Sequence, residues 1–247
     1  MIVTAMLSWF DEPPELLRQC VRGASTICDR IVAADGAYDL VPGKKAVSPH
    51  SQRKAIEQTA KKCGMEVEFL RSRIWAGQVE KRNAVLQVAK NGSDWVMTLD
   101  AEWRISGDKI AIREQLRHFL ANGYEEIAVN FVTPDDPSRP IEQKAANVWH
   151  VQQAGTQQHL SFIYRAMPKM EYRRNHWSLY CESEDGREVA LFGALNRAGY
   201  GRAKTGVLTA PHTFEHLCLF REKKQIERNS LYIMKRDDRA LQMGYET

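Results

Sequence analysis

Four short apolar runs alternate with helix-length segments over the first hundred residues, and this alternation constrains the chain more than any other feature. Residues 2–8 read as a strand, after which Asp11-Glu12-Pro13-Pro14 opens a helix that places Leu16, Leu17, Cys20 and Val21 on one side. Ile31-Val32-Ala33-Ala34 is a second run, cut off by Asp35-Gly36. A loop over 41–51, carrying Pro42, Gly43 and Pro49, leads to a helix over 52–63 that stops at Gly64, and Met65 to Leu70 is the third strand. A helix from Gln78 to Lys90 closes at Asn91-Gly92, and Trp95 to Leu99 is the fourth strand, ending at Asp100. Strands that alternate with helices form an α/β fold, with a mostly parallel central sheet flanked by helices and joined by right-handed crossovers. Sheets of this kind bind ligands beyond the carboxyl ends of their strands, where Asp35 and Asp100 both fall.

Beyond residue 100 the pattern continues and then weakens. A helix over 108–121 groups Ile112, Leu116, Phe119 and Leu120, stops at Asn122-Gly123, and precedes a strand from Ile127 to Val132. Trp149 to Val151 and Leu160 to Tyr164 read as antiparallel strands, and residues 219–243 as a terminal helix rich in charge. Thr205-Gly206 and Pro211 frame a segment that reads as a lid loop. Two regions of one domain follow: residues 1–133, the ligand-binding half, and 134–247, a smaller region with the C-terminal helix.

Bulk properties narrow the class. With 43% apolar and 27% charged residues the chain carries a sizeable core, which excludes disorder, and a net charge of +4 suits anionic ligands without a basic tail. Five cysteines, odd in number and without C-x-x-C spacing, argue against a zinc cage or a disulfide framework. Met1 leads straight into the first strand and no stretch of about 18 apolar residues occurs, so the expectation is a cytoplasmic protein with no transmembrane segment.

The strongest chemical signal is Trp95-Val96-Met97-Thr98-Leu99-Asp100-Ala101-Glu102, a buried strand that delivers two carboxylates at its end. Hard oxygen ligands so placed suit Mn²⁺ or Mg²⁺, which in turn neutralises a diphosphate. Upstream, Lys81 and Arg82 at the start of a helix offer positive charge to phosphate.

Asp35-Gly36 followed by Asp39, Lys81-Arg82-Asn83 opening a helix, and Asp-Trp-Val-Met-Thr-Leu-Asp-Ala-Glu at 94–102 together resemble the family-2 type of GT-A glycosyltransferases, in order and in spacing. The resemblance implies a Rossmann-like GT-A fold with a smaller acceptor-side region, and metal-assisted transfer of a sugar from a nucleoside-diphosphate sugar. It places Asp35 at the nucleobase, Arg82 near the diphosphate and Asp100 and Glu102 at the ribose and metal. Thr4, Leu7, Asp39, Lys81 and Ala101 complete the implied donor side. His212, ahead of Arg228-Asn229, resembles a histidine that completes the metal site in some family members. Tyr172-Arg173-Arg174-Asn175-His176 resembles the family's Tyr…His-Glu element, which makes His176 and Trp177 acceptor-side residues. Trp177 stands where the family has a glutamate that can act as base, so the base is sought in Glu182, Glu184 and Asp185, or in Asp135 and Asp136. The acidic motif also departs from the usual triplet, with Glu102 followed by Trp103.

Three rivals share the features. A nucleotidyltransferase would use the same sheet, but Leu7-Ser8-Trp9-Phe10-Asp11-Glu12 contains no glycine for a phosphate loop. A non-catalytic nucleotide-binding module does not need Arg82, Asp100 and Glu102. Glycosylation of a modified nucleic-acid base is suggested by Arg202, Lys204, Arg221, Lys223, Lys224 and Arg228, without a recognisable nucleic-acid module.

Overall fold

The computed structural model describes residues 1–41, 43–134, 157–173, 179–183, 185–191 and 201–217. Strands β1 (Val3–Ser8), β2 (Arg30–Ala34), β3 (Glu66–Phe69) and β4 (Trp95–Asp100) alternate with helices α1 (Pro14–Ala24), α2 (His50–Lys62) and α3 (Gln78–Ala89), as the sequence pattern requires. Then come β5 (Trp103–Gly107), α4 (Lys109–Ala121), β6 (Glu126–Val132) and β7 (Gln157–Arg165). The remaining strands are β8 (Glu171–Tyr172), β9 (Leu179–Glu182), β10 (Glu188–Ala190), β11 (Gly201–Arg202), β12 (Thr205–Val207) and β13 (His212–His216).

Among the described residues, one sheet of nine strands runs β3-β2-β1-β4-β7-β6-β13-β5, with β12 also paired to β6. All but β5 and β7 point the same way. This is the mixed α/β architecture with a mostly parallel central sheet that the sequence implies. Residues 134–247 contribute β7, β12 and β13 to the same sheet. A smaller sheet, β11-β10-β9-β8, lies apart from it in pairing.

Side-chain alternation along the buried strands sorts the helices onto two faces. Val3, Ala5 and Leu7, Ile31 and Ala33, and Trp95, Met97 and Leu99 pack against α1, α2 and α4 through Leu17, Ile56, Leu116 and their neighbours. Met6, Val32, Ala34 and Val96 face the other way, onto Val85, Leu86 and Ala89 of α3 and Tyr172, Leu179 and Val189 of the small sheet. Asp100 has the parity of Val96 and Thr98, so the fold aims its carboxylate at α3. Helix α4 is started by Asp108, whose carboxylate accepts from the amides of Ile110 and Ala111.

Three segments differ from the sequence expectation. Trp103–Gly107 is a strand, β5, although it alternates buried and exposed residues too briefly to stand out ahead of the helix. Residues 205–207, inside the segment 205–211 expected as a lid loop, form a strand, and so do residues 212–216: Gly206 pairs with Ile127, and Phe214 lies between Phe131 and Ile105. Their order comes from neighbours far away in sequence, which no local period reports. Trp149–Val151 and the helix over 219–243 lie outside the described residues.

Gly36, just past β2, combines φ of +112° with a backbone contact that leaves no room for a side chain, since a Cβ there would sit 1.9 Å from the carbonyl oxygen of Arg73. Gly92 has a similar φ of +72° but open space around it. Gly36→Ala is therefore expected to lower stability by about 3 kcal/mol or more, against about 1 kcal/mol for Gly92→Ala. Urea denaturation of both variants checks this, and equal midpoints would contradict it.

Candidate functional site

The register puts the polar strand ends side by side. Ser8, the last residue of β1, is opposite Ala34 on one side and Asp100 on the other. Because β2 and β4 leave β1 in opposite directions, a crevice opens between β1 and β4, which is where open α/β sheets bind ligands.

At the β1–β2–β3 end lies a cleft lined by Trp9, Asp35, Ser48, His50, Arg53 and Phe69, with Val47 and Ser72 completing its wall. Trp9 and Phe69 meet edge to face at 6.0 Å, and the Arg53 guanidinium lies 4.2 Å above the Phe69 ring. Asp35 is 5% exposed and its carboxylate is fixed from three sides. Oδ1 accepts from the Gly36 amide at 2.7 Å and the Ser48 hydroxyl at 2.6 Å, and Oδ2 accepts from the Ser48 amide at 2.7 Å. A carboxylate offers about four acceptor positions, so one position on Oδ2 remains for a ligand. The Ser48 hydroxyl also accepts from the amide of Asp11, which holds φ of 52°. Ser48 thus ties the β1–α1 loop to the end of β2. Ser48, Trp9 and Phe69 carry no local signal, because each acts through a loop or strand end brought together only by the sheet.

The first turn of α3 joins this cleft to Asp100. Lys81 is 1% exposed, and its ammonium donates to the carbonyls of Trp9 at 2.6 Å and Gly36 at 2.8 Å, with the Tyr38 ring 5.4 Å away. It binds the ends of β1 and β2 together from beneath, its ammonium engaged by these two carbonyls where the sequence analysis expects it near the diphosphate. Arg82 donates from Nη2 to both oxygens of Asp100, at 2.8 and 3.1 Å. Burial opposes the guanidinium charge, but the Asp100 carboxylate, with Tyr172 and Tyr38, outweighs it and raises the Arg82 pKa. Asn83 pairs with the backbone of Tyr172 in both directions, at 2.9 and 2.7 Å. The Tyr172 hydroxyl, in turn, lies 3.1 Å from that of Thr98.

Glu102 follows in the turn between β4 and β5, with Oε1 3.4 Å from Nε2 of His216. The amide of Leu217 donates to its carbonyl at 2.9 Å, so the carboxyl end of β13 arrives at the acidic motif. His212 sits at the opposite end of that strand, beside Gly107. Four residues of strand separate it from His216 by about 13 Å. Both its nitrogens are engaged, Nδ1 with the carbonyl of Ala210 at 2.6 Å and Nε2 with the amide of Asn130 at 2.7 Å. Burial lowers its pKa, in keeping with a neutral ring that accepts a backbone hydrogen bond. The histidine beside the acidic motif is therefore His216, and the expected ligand His212 lies at the far end of β13. Among the described residues no group of three or more His, Cys, Asp or Glu side chains could hold an ion unaided. Asp100 and Glu102 still provide the one or two carboxylates that suffice when phosphate oxygens and water fill the remaining positions.

The other expected residues are placed as follows. Thr4 is fully buried inside β1, its hydroxyl 2.6 Å from that of Ser93, and Leu7 is core. Neither reaches the carboxyl end, where Ser8 and Trp9 stand instead. Ala101 is buried against the α1 face, and Asp39 lies in the loop after β2, where its amide donates to the carbonyl of Trp75. Glu182 pairs with Lys169 in the small sheet. Asp185 is a turn residue: the Ser183 hydroxyl at 2.5 Å, and then Arg187, hold its pKa down at about 2, which makes it a weak base. Glu184, His176, Trp177, Asp135 and Asp136 lie outside the described residues. Cys20 and Cys28 are free, buried thiols whose pKa burial drives up, consistent with reduced, packed cysteines.

No protein-family model matches the chain, and no curated protein matches it. Among solved structures, a mycobacterial protein aligns with 100% of this chain and 76% of its own, at 12% identity and a TM-score of 0.50. A structure of S. aureus TarS residues 1–349 aligns with 67% of this chain and 47% of its own, at 12% identity and a TM-score of 0.42. Its complex with UDP aligns with 57% and 38% at 13% identity and 0.38. The chain thus spans less than half the length of these TarS structures. At such identities the likeness concerns the fold alone. Among the described residues no helix is long and apolar enough to cross a membrane.

If Lys81 serves the strand ends, Lys81→Met should cost about 2–4 kcal/mol, because two buried carbonyls lose their donor. Lys54→Met, on the exposed face of α2, should stay within about 0.5 kcal/mol. Urea midpoints decide, and an unchanged midpoint for Lys81→Met would return the residue to a ligand-binding role.

Proposed function

We propose that the chain transfers a sugar from a nucleoside-diphosphate sugar to an acceptor, as a family-2-like GT-A glycosyltransferase. The observation that carries the reading is the convergence of three elements on one edge of the sheet. They are an aromatic-walled cleft with a fixed carboxylate, the crevice between β1 and β4, and a strand-end acidic motif next to it. The cleft suits a nucleobase, with Trp9 or Phe69 against its face and the open position on Asp35 Oδ2 accepting one N–H from its edge. From there the ribose and diphosphate run across the end of β1 toward Asp100.

Asp100 and Glu102 would hold Mn²⁺ or Mg²⁺ there. The ion, when bound, would neutralise charge on the departing nucleoside diphosphate. Transfer also requires a group that takes the proton of the acceptor hydroxyl. Glu182, which pairs with Lys169, and Asp185, which accepts from Ser183 and Arg187, are candidates for it together with Glu184, Asp135 and Asp136. The acceptor is left unnamed, with a modified nucleic-acid base one of the chemistries to be screened. The protein is read as working in the cytoplasm.

The test is release of nucleoside diphosphate from a panel of nucleotide sugars, with Mn²⁺ and with chelator. The wild-type chain should act on at least one donor in an ion-dependent way. Asp100→Asn should lower the rate by about a hundredfold or more, while keeping one acceptor for Arg82 so that the chain still folds. Wild-type turnover in this variant would remove Asp100 from the mechanism.

A further inference from the structure

Arg82 faces two demands that exclude each other. A guanidinium that contacts a diphosphate must point into the crevice, whereas here it is 9% exposed and lies between Asp100 and the Tyr172 ring, 5.9 Å away. Its Nη2 touches both Asp100 oxygens, and the ring beside it is fixed in turn by Thr98 and by Asn83, the next residue of the same helix. Moving Arg82 to a phosphate would strand the Asp100 carboxylate, whose side chain is only 21% exposed, and would break a largely buried ion pair. These contacts argue for a fixed arginine.

We infer that Arg82 is a positioning residue for Asp100 and not a diphosphate contact. It fixes the carboxylate at the end of β4 and, by neutralising it, keeps the ligand-free site from taking up a divalent cation. This rests on the sugar-transfer reading of the site. Electrostatics supplies the reason. A divalent ion at Asp100 would sit within a few ångströms of a guanidinium in a partly buried setting, where charges interact far more strongly than in water. The second carboxylate, Glu102, is engaged by His216. Two carboxylates and one arginine leave about one negative charge for the ion, too little for tight binding until a diphosphate adds its own. Cation and nucleotide then bind cooperatively, each raising the affinity of the other by the same factor.

The experiment titrates Mn²⁺ alone into the full chain, with unbound Mn²⁺ followed by electron paramagnetic resonance. Wild type, Arg82→Met, Arg82→Gln and Arg82→Lys are compared. Removing the positive charge should tighten Mn²⁺ binding at least about tenfold in the Met and Gln variants, and Arg82→Lys should stay within about threefold of wild type. Arg82→Gln keeps a donor to Asp100 and carries the test if Arg82→Met does not fold. A gain of affinity is not a result that a damaged fold produces. In parallel, UDP and GDP are titrated in chelator into wild type and the double variant Arg82→Gln/Asp100→Asn, which removes Arg82 without changing the net charge of the pair, and affinity should change by less than about threefold. Mn²⁺ affinity no higher in the neutral variants, or nucleotide affinity in chelator falling about tenfold, would overturn the inference and return Arg82 to the diphosphate. If neither nucleotide binds any of the proteins even with Mn²⁺, the sugar-transfer reading fails, while the comparison with Mn²⁺ alone still decides the role of Arg82.

Discussion

The buried ammonium of Lys81, donating to the carbonyls of Trp9 and Gly36, is the interaction on which the geometry of the strand ends depends. A lysine removed from water is costly unless its hydrogens find acceptors, and two carbonyls from adjacent strands provide them. In return they fix the point at which β1 and β2 stop, and so where Trp9 and Asp35 stand. The next two residues extend the same turn in other directions: Arg82 to Asp100 on β4, and Asn83 to Tyr172 on β8. Three consecutive side chains on one helical turn therefore join the central sheet, the acidic motif and the small sheet.

That turn also explains why the two ends of the site are unequal. The cleft at Asp35 is shaped by hydrogen bonds among loops, with Ser48 as the common partner, and needs no ligand to hold it. The Asp100 end is electrostatic, with a carboxylate already partnered by an arginine. A base would meet a formed receptor, whereas a metal would meet a site whose charge is largely compensated.

How far the sequence foretold this depends on how local the cause is. Asp35 and Asp100 stood out because each follows a run of buried residues, and strand ends in such sheets face ligands. The order β1 to β4 was legible for the same reason. Lys81 and Arg82 were legible as a basic pair but not in their contacts, since only the packing of α3 on the Met6–Val96 face turns them toward carbonyls and a carboxylate. The sequence pointed to His212 rather than His216 because the pairing of β13 with β5 and β6, which sets which histidine reaches Glu102, spans about 80 to 110 residues. Ser48 has no local signature, being one serine in a loop until Asp35 and Asp11 close on it.

A crystal structure with a nucleoside diphosphate and Mn²⁺ bound tests the central claim most directly, that one edge of the sheet forms a donor site from Asp35 to Asp100. The base should lie in the cleft beside Trp9 and Phe69 with one N–H on Asp35 Oδ2. The diphosphate should cross the end of β1 to an ion on Asp100, with Arg82 still on that carboxylate. A nucleotide bound away from this edge, or a base outside the cleft with Asp35 and Ser48 untouched, would contradict the account.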